Sequence, residues 1–172
     1  MIQIIEKAKL FAQSAHSGQF YDEEPYITHL EAVYNELVNF GFDANNGEEQ
    51  PILIAGWLHD VIENTDTSYT DLKNIFGEEV AEIVYCVTDE LGRNRKEKKE
   101  RTYAKIRSNA KAIIVKIADR IANVRHSVGS LKNQNFRSMY QKEHLDFVKN
   151  LKIYRHVPEM WKTLNDLIIV NS

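Results

Sequence analysis

Residues 51–63 read Pro-Ile-Leu-Ile-Ala-Gly-Trp-Leu-His-Asp-Val-Ile-Glu, a stretch that would be apolar almost all the way round a helix. Because such a helix has no polar face to present to water, the pattern predicts a central buried helix. His59 and Asp60 interrupt the apolar run. An unpaired buried carboxylate is costly even after relaxation, so Asp60 needs a partner, and a divalent cation would serve. Glu63 lies one turn after His59, where a general base beside the ion would sit.

Outward from this stretch, helical spacing of apolar residues recurs along the chain, whereas strand-like alternation does not. The predicted helices cover 2–17, 26–40, 51–63, about 68–77, 78–90, 94–108, 110–128, 134–154 and 158–170. Pro25 is expected in the first turn of the second helix, after a loop at 19–24, and Ser68 to Asp71 resembles a capping box. The sequence predicts an all-α fold, a compact single-domain helical bundle of about eight or nine helices spanning residues 1–172.

A second polar feature lies on the helix predicted over 110–128. Its polar stripe, opposite a face of isoleucines, consists of Lys116, Asp119, Arg120 and Asn123. The apolar neighbours of Asp119 indicate that its carboxylate points inward, where it would supply a third ligand beside His59 and Asp60. His29, just inside the second helix, is the natural fourth. Mixed imidazole and carboxylate ligands suit Mn²⁺, Fe²⁺ or Zn²⁺, and the absence of thiolates argues against a structural zinc site.

Each of these residues also has an ordinary structural interpretation. A His-Asp dipeptide occurs on many surface helices, and a histidine near a helix N-terminus, such as His29, is more often satisfied by local hydrogen bonds than by a metal. The pattern alone therefore leaves both roles open. A metal centre of this kind would lower the pKa of a bound water from 15.7 toward ~7 and polarise a phosphoryl oxygen, which predicts phosphate-ester chemistry.

The composition argues against a disulfide-bonded, membrane-spanning, secreted or nucleic-acid-binding protein. Hydrophobic residues make up 43% of the 172 residues and charged residues 27%, as in ordinary globular domains. The single cysteine, Cys86, excludes an intramolecular disulfide and favours a reducing compartment. No run approaches the ~18 apolar residues of a membrane span, and residues 1–7 lack the features of a signal peptide. The net charge of −3 argues against nucleic acid as the main partner. We therefore expect a cytoplasmic protein, with a homo-oligomer left open.

Five ordered blocks carry a family resemblance over about residues 8–145. They are Phe11-Ala12 with His16 and Gly18-Gln19, Pro25-Tyr26-Ile27-Thr28-His29, Trp57 to Glu63, Phe76 to Val80 with Val87-Thr88, and Val115 to Arg120 with Asn123-Val124-Arg125. With these blocks the chain resembles the hydrolase domain of RelA/SpoT-type alarmone enzymes, and more closely the small stand-alone alarmone hydrolases. The resemblance implies an HD-type domain in which His29, His59, Asp60 and Asp119 hold Mn²⁺. The implied reaction removes pyrophosphate from the 3′ position of guanosine tetra- or pentaphosphate.

Two departures from the family pattern bear on that reaction. The family motif His-Asp-x-x-Glu-Asp ends here in Glu63-Asn64, and an amide can orient a water but cannot take its proton. We therefore assign the base role to Glu63 and a water-orienting role to Asn64. The loop at 19–25 usually carries basic residues, including an arginine that stacks on guanine, but residues 20–24 read Phe-Tyr-Asp-Glu-Glu. Tyr21 can still stack on a base, although the added acids disfavour an anionic nucleotide there.

A basic segment stands out in this net acidic chain, because residues 93–107 hold eight basic and two acidic residues. The segment predicts a positive wall that holds phosphates through Arg95 and Lys96. A solvated helix face with internal Glu–Lys pairs is the alternative. By resemblance, Asn123 contacts the ribose. The remaining predicted substrate contacts are Tyr21, Lys116, Arg137 and Tyr140.

Three functions follow from these features. The leading hypothesis is metal-dependent hydrolysis of guanosine 3′,5′-bispyrophosphate-type alarmones, as part of the stringent response. A related phosphatase that removes one phosphate from a nucleotide or dinucleotide is the second. The third is a non-catalytic protein that binds the alarmone without cleaving it. Release of pyrophosphate, release of orthophosphate, and saturable binding without turnover distinguish the three.

Overall fold

A computed structural model describes residues 2–128, 134–152 and 157–170. Its elements are α1 (Ile2–Ala15), β1 (Phe20–Tyr21), β2 (Glu24–Pro25), α2 (Ile27–Asn39), α3 (Gln50–Leu58), α4 (Val61–Asn64), α5 (Tyr69–Phe76), α6 (Glu78–Val87), α7 (Arg95–Ile106), α8 (Ala110–Val128), α9 (Gln134–Leu151) and α10 (Pro158–Val170). Of the helices within these ranges, all but the single turn α4 have eight or more residues. The predicted all-α fold is confirmed, whereas the single domain over 1–172 stays a prediction, and the end of the helix predicted over 134–154 lies outside the described residues.

Helix α3 lies at the centre of the bundle. It packs against α1, α2, α6 and α8, and every residue from Ile52 to Leu58 is buried. Fully burying a side chain such as Leu53 stabilises the fold by about 1.5–3 kcal/mol. The carboxyl end of α3 is therefore held in place by its packing, and it fixes the position of His59 and Asp60, which follow it. Among the described helices, none is both long and apolar enough to cross a membrane.

The continuous helix predicted over 51–63 is wrong at the polar pair. Helix α3 ends at Leu58, His59 and Asp60 form a turn, and α4 starts at Val61. In an unbroken helix adjacent side chains point about 100° apart, so His59 and Asp60 would diverge. The turn, with Asp60 at φ −102° and ψ −3°, instead lets both side chains approach one point. A hydrogen bond from the Tyr26 hydroxyl to Asp60 Oδ2, 2.7 Å long, holds the carboxylate there.

The segment predicted as a loop at 19–24 is a tight hairpin. Phe20 pairs with Pro25 and Tyr21 with Glu24, so Pro25 lies in β2 and not, as predicted, in the first turn of α2. The chain reverses at Asp22, whose φ of 57° lies in the left-handed region that aspartate tolerates better than most residues. The hairpin places Tyr21 over the amino-terminal end of α2, beside the predicted metal ligands.

The start of α5 follows the prediction from the sequence. The Ser68 hydroxyl accepts a hydrogen bond from the Asp71 backbone N–H, and the Asp71 carboxylate accepts one from the Ser68 backbone N–H. This reciprocal pair satisfies two of the donors that a helix leaves unpaired at its amino terminus. The predicted capping box is confirmed.

Replacing Gly92 by Ala is expected to destabilise the protein by about 1–3 kcal/mol, because overpacking forces the backbone to move. A Cβ at Gly92 would lie 2.6 Å from the backbone nitrogen of Lys98 and 2.9 Å from its Cα. Gly47→Ala is the matched control, since no described heavy atom lies within 4 Å of the Cβ that it adds. Urea unfolding of the two variants measures the difference. Equal stabilities would contradict the close approach of α7 to residue 92.

Candidate active site

Four side chains from three parts of the fold converge on one point. His29 lies in the first turns of α2, His59 and Asp60 in the turn after α3, and Asp119 in the middle of α8. The Nε2 atoms of His29 and His59 are 3.2 Å apart. Asp60 Oδ2 lies 3.6 Å and 3.3 Å from those two nitrogens, and Asp119 Oδ1 lies 3.5 Å and 3.8 Å from them. The structure thus brings together all four predicted ligands.

The donor chemistry of this cluster fits a divalent cation. His59 Nδ1 lies 2.9 Å from the carbonyl oxygen of Gly56, which can only accept, so Nδ1 carries a hydrogen and Nε2 is the atom that would bind a cation. Against the effect of burial, the Asp60 carboxylate raises the pKa of His59 to about 9 before a cation binds, so a cation would displace the proton from Nε2. Burial lowers the pKa of His29 below its ordinary value, which favours the neutral ring. Two imidazole nitrogens and two carboxylate oxygens therefore surround a point from which water is largely excluded, and a cation there satisfies all four.

Neighbouring side chains keep the two carboxylates ionised. Burial alone would raise the pKa of Asp119, but Lys116 and the two imidazoles hold it below its ordinary value. Lys116 Nζ lies 2.9 Å from Asp119 Oδ2, and Asn123 donates from Nδ2 to Oδ1 at 2.5 Å. The pKa of Asp60 is likewise lowered, against the effect of burial, by His59 and by the hydrogen bond from Tyr26. Ionised carboxylates are the form that binds metal.

Glu63 lies in α4, three residues after Asp60, and is exposed. The backbone N–H of Asp89, just after α6, donates to Glu63 Oε2 at 2.9 Å, which fixes the carboxylate and leaves Oε1 available to accept a proton. Desolvation raises the pKa of Glu63, the hydrogen bond from Asp89 opposes that rise, and the charges of Asp89 and Asp60 add to it. A raised pKa makes the carboxylate a stronger base.

An aromatic cavity of about 410 Å³ opens next to the cluster. Its lining residues are Phe20, Tyr21, Asp22, Asn123, His126, Ser127, Phe136 and Tyr140. The Tyr21 ring stacks on the His29 ring with centroids 4.5 Å apart, and its hydroxyl donates to Asn123 Oδ1 at 2.5 Å. Tyr21 therefore lies between this cavity and the predicted metal ligands and contacts one of them, His29. Flat aromatic walls of this kind suit a planar ring such as a nucleobase.

A second cavity, of about 300 Å³, is basic and adjoins the first. The two share Asn123, Phe136 and Tyr140 in their walls, and the second also contacts Lys116 and Asp119. Its cations lie on α7 and α8. They are Arg95, Lys99, Lys116 and Arg120. The predicted ligand Asp119 therefore lies in a cleft with an aromatic compartment and a basic compartment.

One carboxylate, Glu143 of α9, partly neutralises the basic cavity. Arg95 Nε donates to Glu143 Oε1 at 2.7 Å, Lys99 Nζ bonds Oε2, and Arg120 Nη1 lies 3.4 Å from Oε2. Although partial burial would raise it, hydrogen bonds from Arg95 and Lys99 lower the pKa of Glu143 to about 2. Burial and the nearby Arg120 lower the pKa of Lys99 to about 8. Glu143 thus pairs with three of the cations that line the cavity and would compete with an anionic ligand for them.

The predicted substrate contacts divide into those that line the cleft and those that do not. Tyr21, Arg95, Lys116, Asn123 and Tyr140 line it. Lys96 does not, because its side chain is 86% exposed on the outer face of α7, 3.9 Å from Glu100. Arg137 is also absent from the walls of both cavities. The sequence assigned no substrate or catalytic role to Tyr26 or Glu143, and it placed Lys99 only in the basic segment and Arg120 only in the polar stripe.

A family model described as an HD domain matches residues 8–147 of the chain. The chain belongs to the HD domain family. Relatives of this HD domain include the "Bifunctional (p)ppGpp synthase/hydrolase SpoT" of Escherichia coli (strain K12), 37% identical over 139 residues, or 76% of this chain and 19% of that protein. Another is "Guanosine-3′,5′-bis(diphosphate) 3′-pyrophosphohydrolase MESH1" of Drosophila melanogaster, 34% identical over 104 residues, or 60% of this chain and 56% of that protein. The HD domain thus spans about a fifth of the length of the bifunctional relative. The resemblance to alarmone hydrolases is confirmed.

Solved structures share the fold of this HD domain. One, described as a metazoan ortholog of SpoT that hydrolyses ppGpp, superposes with a TM-score of 0.79 at 22% identity, covering 98% of this chain and 96% of the other. A protein from Listeria monocytogenes EGD-e gives a TM-score of 0.65 at 24% identity, covering 86% of this chain. At such identities the likeness establishes the arrangement of helices.

Proposed function

We propose that this HD domain is a metal-dependent phosphohydrolase that removes pyrophosphate from the 3′ position of guanosine 3′,5′-bispyrophosphate-type alarmones. The observation that carries the proposal is the convergence of two imidazoles and two carboxylates beside a cleft with one aromatic and one basic compartment. A nucleotide could place its base in the aromatic compartment and phosphate groups in the basic one. The names of the relatives from Escherichia coli and Drosophila melanogaster support the same substrate class.

The four ligands His29, His59, Asp60 and Asp119 would hold the cation, for which we propose Mn²⁺. When bound, the cation supplies Lewis acidity toward a phosphoryl oxygen and a more acidic water. Glu63 accepts the proton of the attacking water on Oε1, while Asp89 holds Oε2.

From the residues that line the two cavities, we propose which side chains contact the base, the ribose and the phosphates. Tyr21 and Tyr140 flank the base in the aromatic cavity, and Asn123 lies between the two compartments, where a ribose hydroxyl would reach it. Lys116 and Arg95 face the phosphates. Lys96 and Arg137 stay predictions as weaker, outer contacts. The cytoplasmic location and a homo-oligomer likewise stay predictions.

The test is an assay of the purified protein with Mn²⁺ and a panel of nucleotides that contains guanosine tetraphosphate, guanosine pentaphosphate and nucleoside monophosphates. We expect metal-dependent release of pyrophosphate from the two guanosine polyphosphates. Release of orthophosphate instead would favour the phosphatase alternative. Saturable binding of guanosine tetraphosphate without turnover with Mn²⁺, Fe²⁺, Zn²⁺ or Mg²⁺ would favour the non-catalytic alternative.

Replacing Glu143 by Gln is expected to lower KM for guanosine tetraphosphate several-fold at low salt. The substitution removes the anion that Arg95, Lys99 and Arg120 share, so the cavity gains a positive charge toward the phosphates. Added salt should shrink the gain, because the interaction is screened. KM measured against ionic strength checks both effects.

Glu90→Gln is the control for this variant. It removes the same charge from the Glu90–Lys105 pair, 2.7 Å apart, whose members do not line the basic cavity. We expect its KM to stay near that of the unmodified chain. A higher KM in Glu143→Gln than in Glu90→Gln would mean that Glu143 organises the cations and does not compete with the substrate.

A further inference from the structure

The side chain of Asn64, where related motifs carry an acid, contacts the hydroxyl of Tyr26. Asn64 Nδ2 lies 3.0 Å from the Tyr26 hydroxyl oxygen, and that hydroxyl lies 2.7 Å from Asp60 Oδ2. A hydroxyl has a single hydrogen to donate. Because the Asp60 carboxylate can only accept, the Tyr26 hydrogen goes to Asp60, and the partner on the other side must be a donor. The amide of Asn64 supplies that donor.

A closed ring of contacts fixes these atoms in place. The Tyr26 ring stacks on the His16 ring with centroids 4.5 Å apart and an interplanar angle of 6°. His16 Nδ1 lies 2.9 Å from Gln19 Oε1, and Gln19 Nε2 donates to the backbone carbonyl of Asn64 at 2.8 Å. The position of Tyr26 is therefore held from the ring side by His16 and from the hydroxyl side by Asn64. These contacts restrict the rotation of the Tyr26 ring away from Asp60.

We propose that Asn64 is a positioning residue, which acts through Tyr26 by fixing the direction of its hydrogen bond to the metal ligand Asp60. The inference rests on the proposed metal centre but not on the proposed substrate. A carboxylate at position 64 would offer the Tyr26 hydrogen a second acceptor in competition with Asp60. It would also remove the donor that the hydroxyl oxygen now accepts from. The amide suits this chain better than the acid of the family motif, and restoring that acid weakens the site.

The test is a double-substitution cycle made of Asn64→Asp, Tyr26→Phe and both together, with the dissociation constant of Mn²⁺ alone measured by titration calorimetry. We expect Asn64→Asp to raise this constant about threefold to tenfold more in the Tyr26 background than in the Phe background. The through-space attraction of the new charge for Mn²⁺ is present in both backgrounds and cancels in the comparison. Because Asn64→Asp binds Mn²⁺ more weakly, we also expect its turnover of guanosine tetraphosphate to fall.

Controls keep this test separate from folding and from the proposed function. Asn74→Asp makes the same chemical change at an exposed position on α5 and is expected to leave Mn²⁺ binding unchanged. Thermal unfolding of each variant checks that the substitutions leave the protein folded. Tighter Mn²⁺ binding and faster turnover in Asn64→Asp, equal in both backgrounds, would overturn the inference. Tight Mn²⁺ binding by the unmodified chain without hydrolysis of any nucleotide would overturn the proposed function alone, because the binding cycle needs no turnover.

Discussion

Asp119→Asn is expected to abolish measurable Mn²⁺ binding and phosphohydrolase activity together. The side chain keeps its size but loses its charge, and two donors, Lys116 and Asn123, already point at its two oxygens. An amide there would set its own NH₂ against one of those donors and leave buried Lys116 without an anionic partner. Loss of a residue that merely supports a ligand costs ~10–100-fold in metal affinity or activity, so loss of the ligand itself should exceed that.

Two measurements check this expectation, namely Mn²⁺ titration calorimetry and release of pyrophosphate from guanosine tetraphosphate. Asp166→Asn, on the exposed face of α10, is the matched control and should behave like the unmodified chain. Mn²⁺ affinity within about threefold of normal in Asp119→Asn, well short of the usual cost of disturbing a ligand, would show that this residue is not a ligand.

Glu63→Gln is expected to separate metal binding from catalysis. Because Glu63 lies outside the four converging ligands and is held by the Asp89 backbone, the variant should bind Mn²⁺ nearly normally. Its kcat should fall by about 10²–10⁴, the usual contribution of a general base. The Asp89 N–H can donate to the amide oxygen of Gln, so the side chain stays in place while its basicity is lost.

The pH dependence gives a second signature of the same base. Desolvation raises the pKa of Glu63 above its ordinary value, and only the deprotonated carboxylate accepts a proton. The activity of the unmodified chain should therefore rise with pH through that raised pKa, and this rise should be missing in Glu63→Gln. Glu82→Gln, which changes an exposed acceptor of the Tyr69 hydroxyl, is the control. An unchanged kcat in Glu63→Gln would assign the base role to another group.

The accuracy of the sequence-based prediction differed between local and long-range features. The first residues of α8, 110, and of α10, 158, agree with the predicted starts of these helices, since apolar periodicity and flanking residues are local properties. The prediction was wrong at His59–Asp60, where a turn replaces a continuous helix. There the hydrogen bond from Tyr26 and the shared approach of two side chains outweigh the helical propensity of the stretch.

Which residues line the substrate cleft could be decided only from the tertiary structure. Basic residues of α7 differ in their positions although they share one charged segment. Arg95 and Lys99 line the cavity, whereas Lys96 points to solvent. Glu143, which neutralises them, is 48 residues from Arg95. The sequence gives no signal for such a pairing, because the spacing between α7 and α9 is set by how the two helices pack.

The amino-acid sequence by itself limited the kinds of chemistry open to this chain, since charged and imidazole side chains in apolar helices have few ways to be satisfied, and binding a cation through His29, His59, Asp60 and Asp119 is one of them. The tertiary structure alone decided which partners those ligands have. Tyr26 meets Asp60 across 34 residues and Tyr21 meets Asn123 across 102. Hydrogen-bond direction depends on distances of a few ångströms between separate helices and loops, and only the packed chain sets those distances.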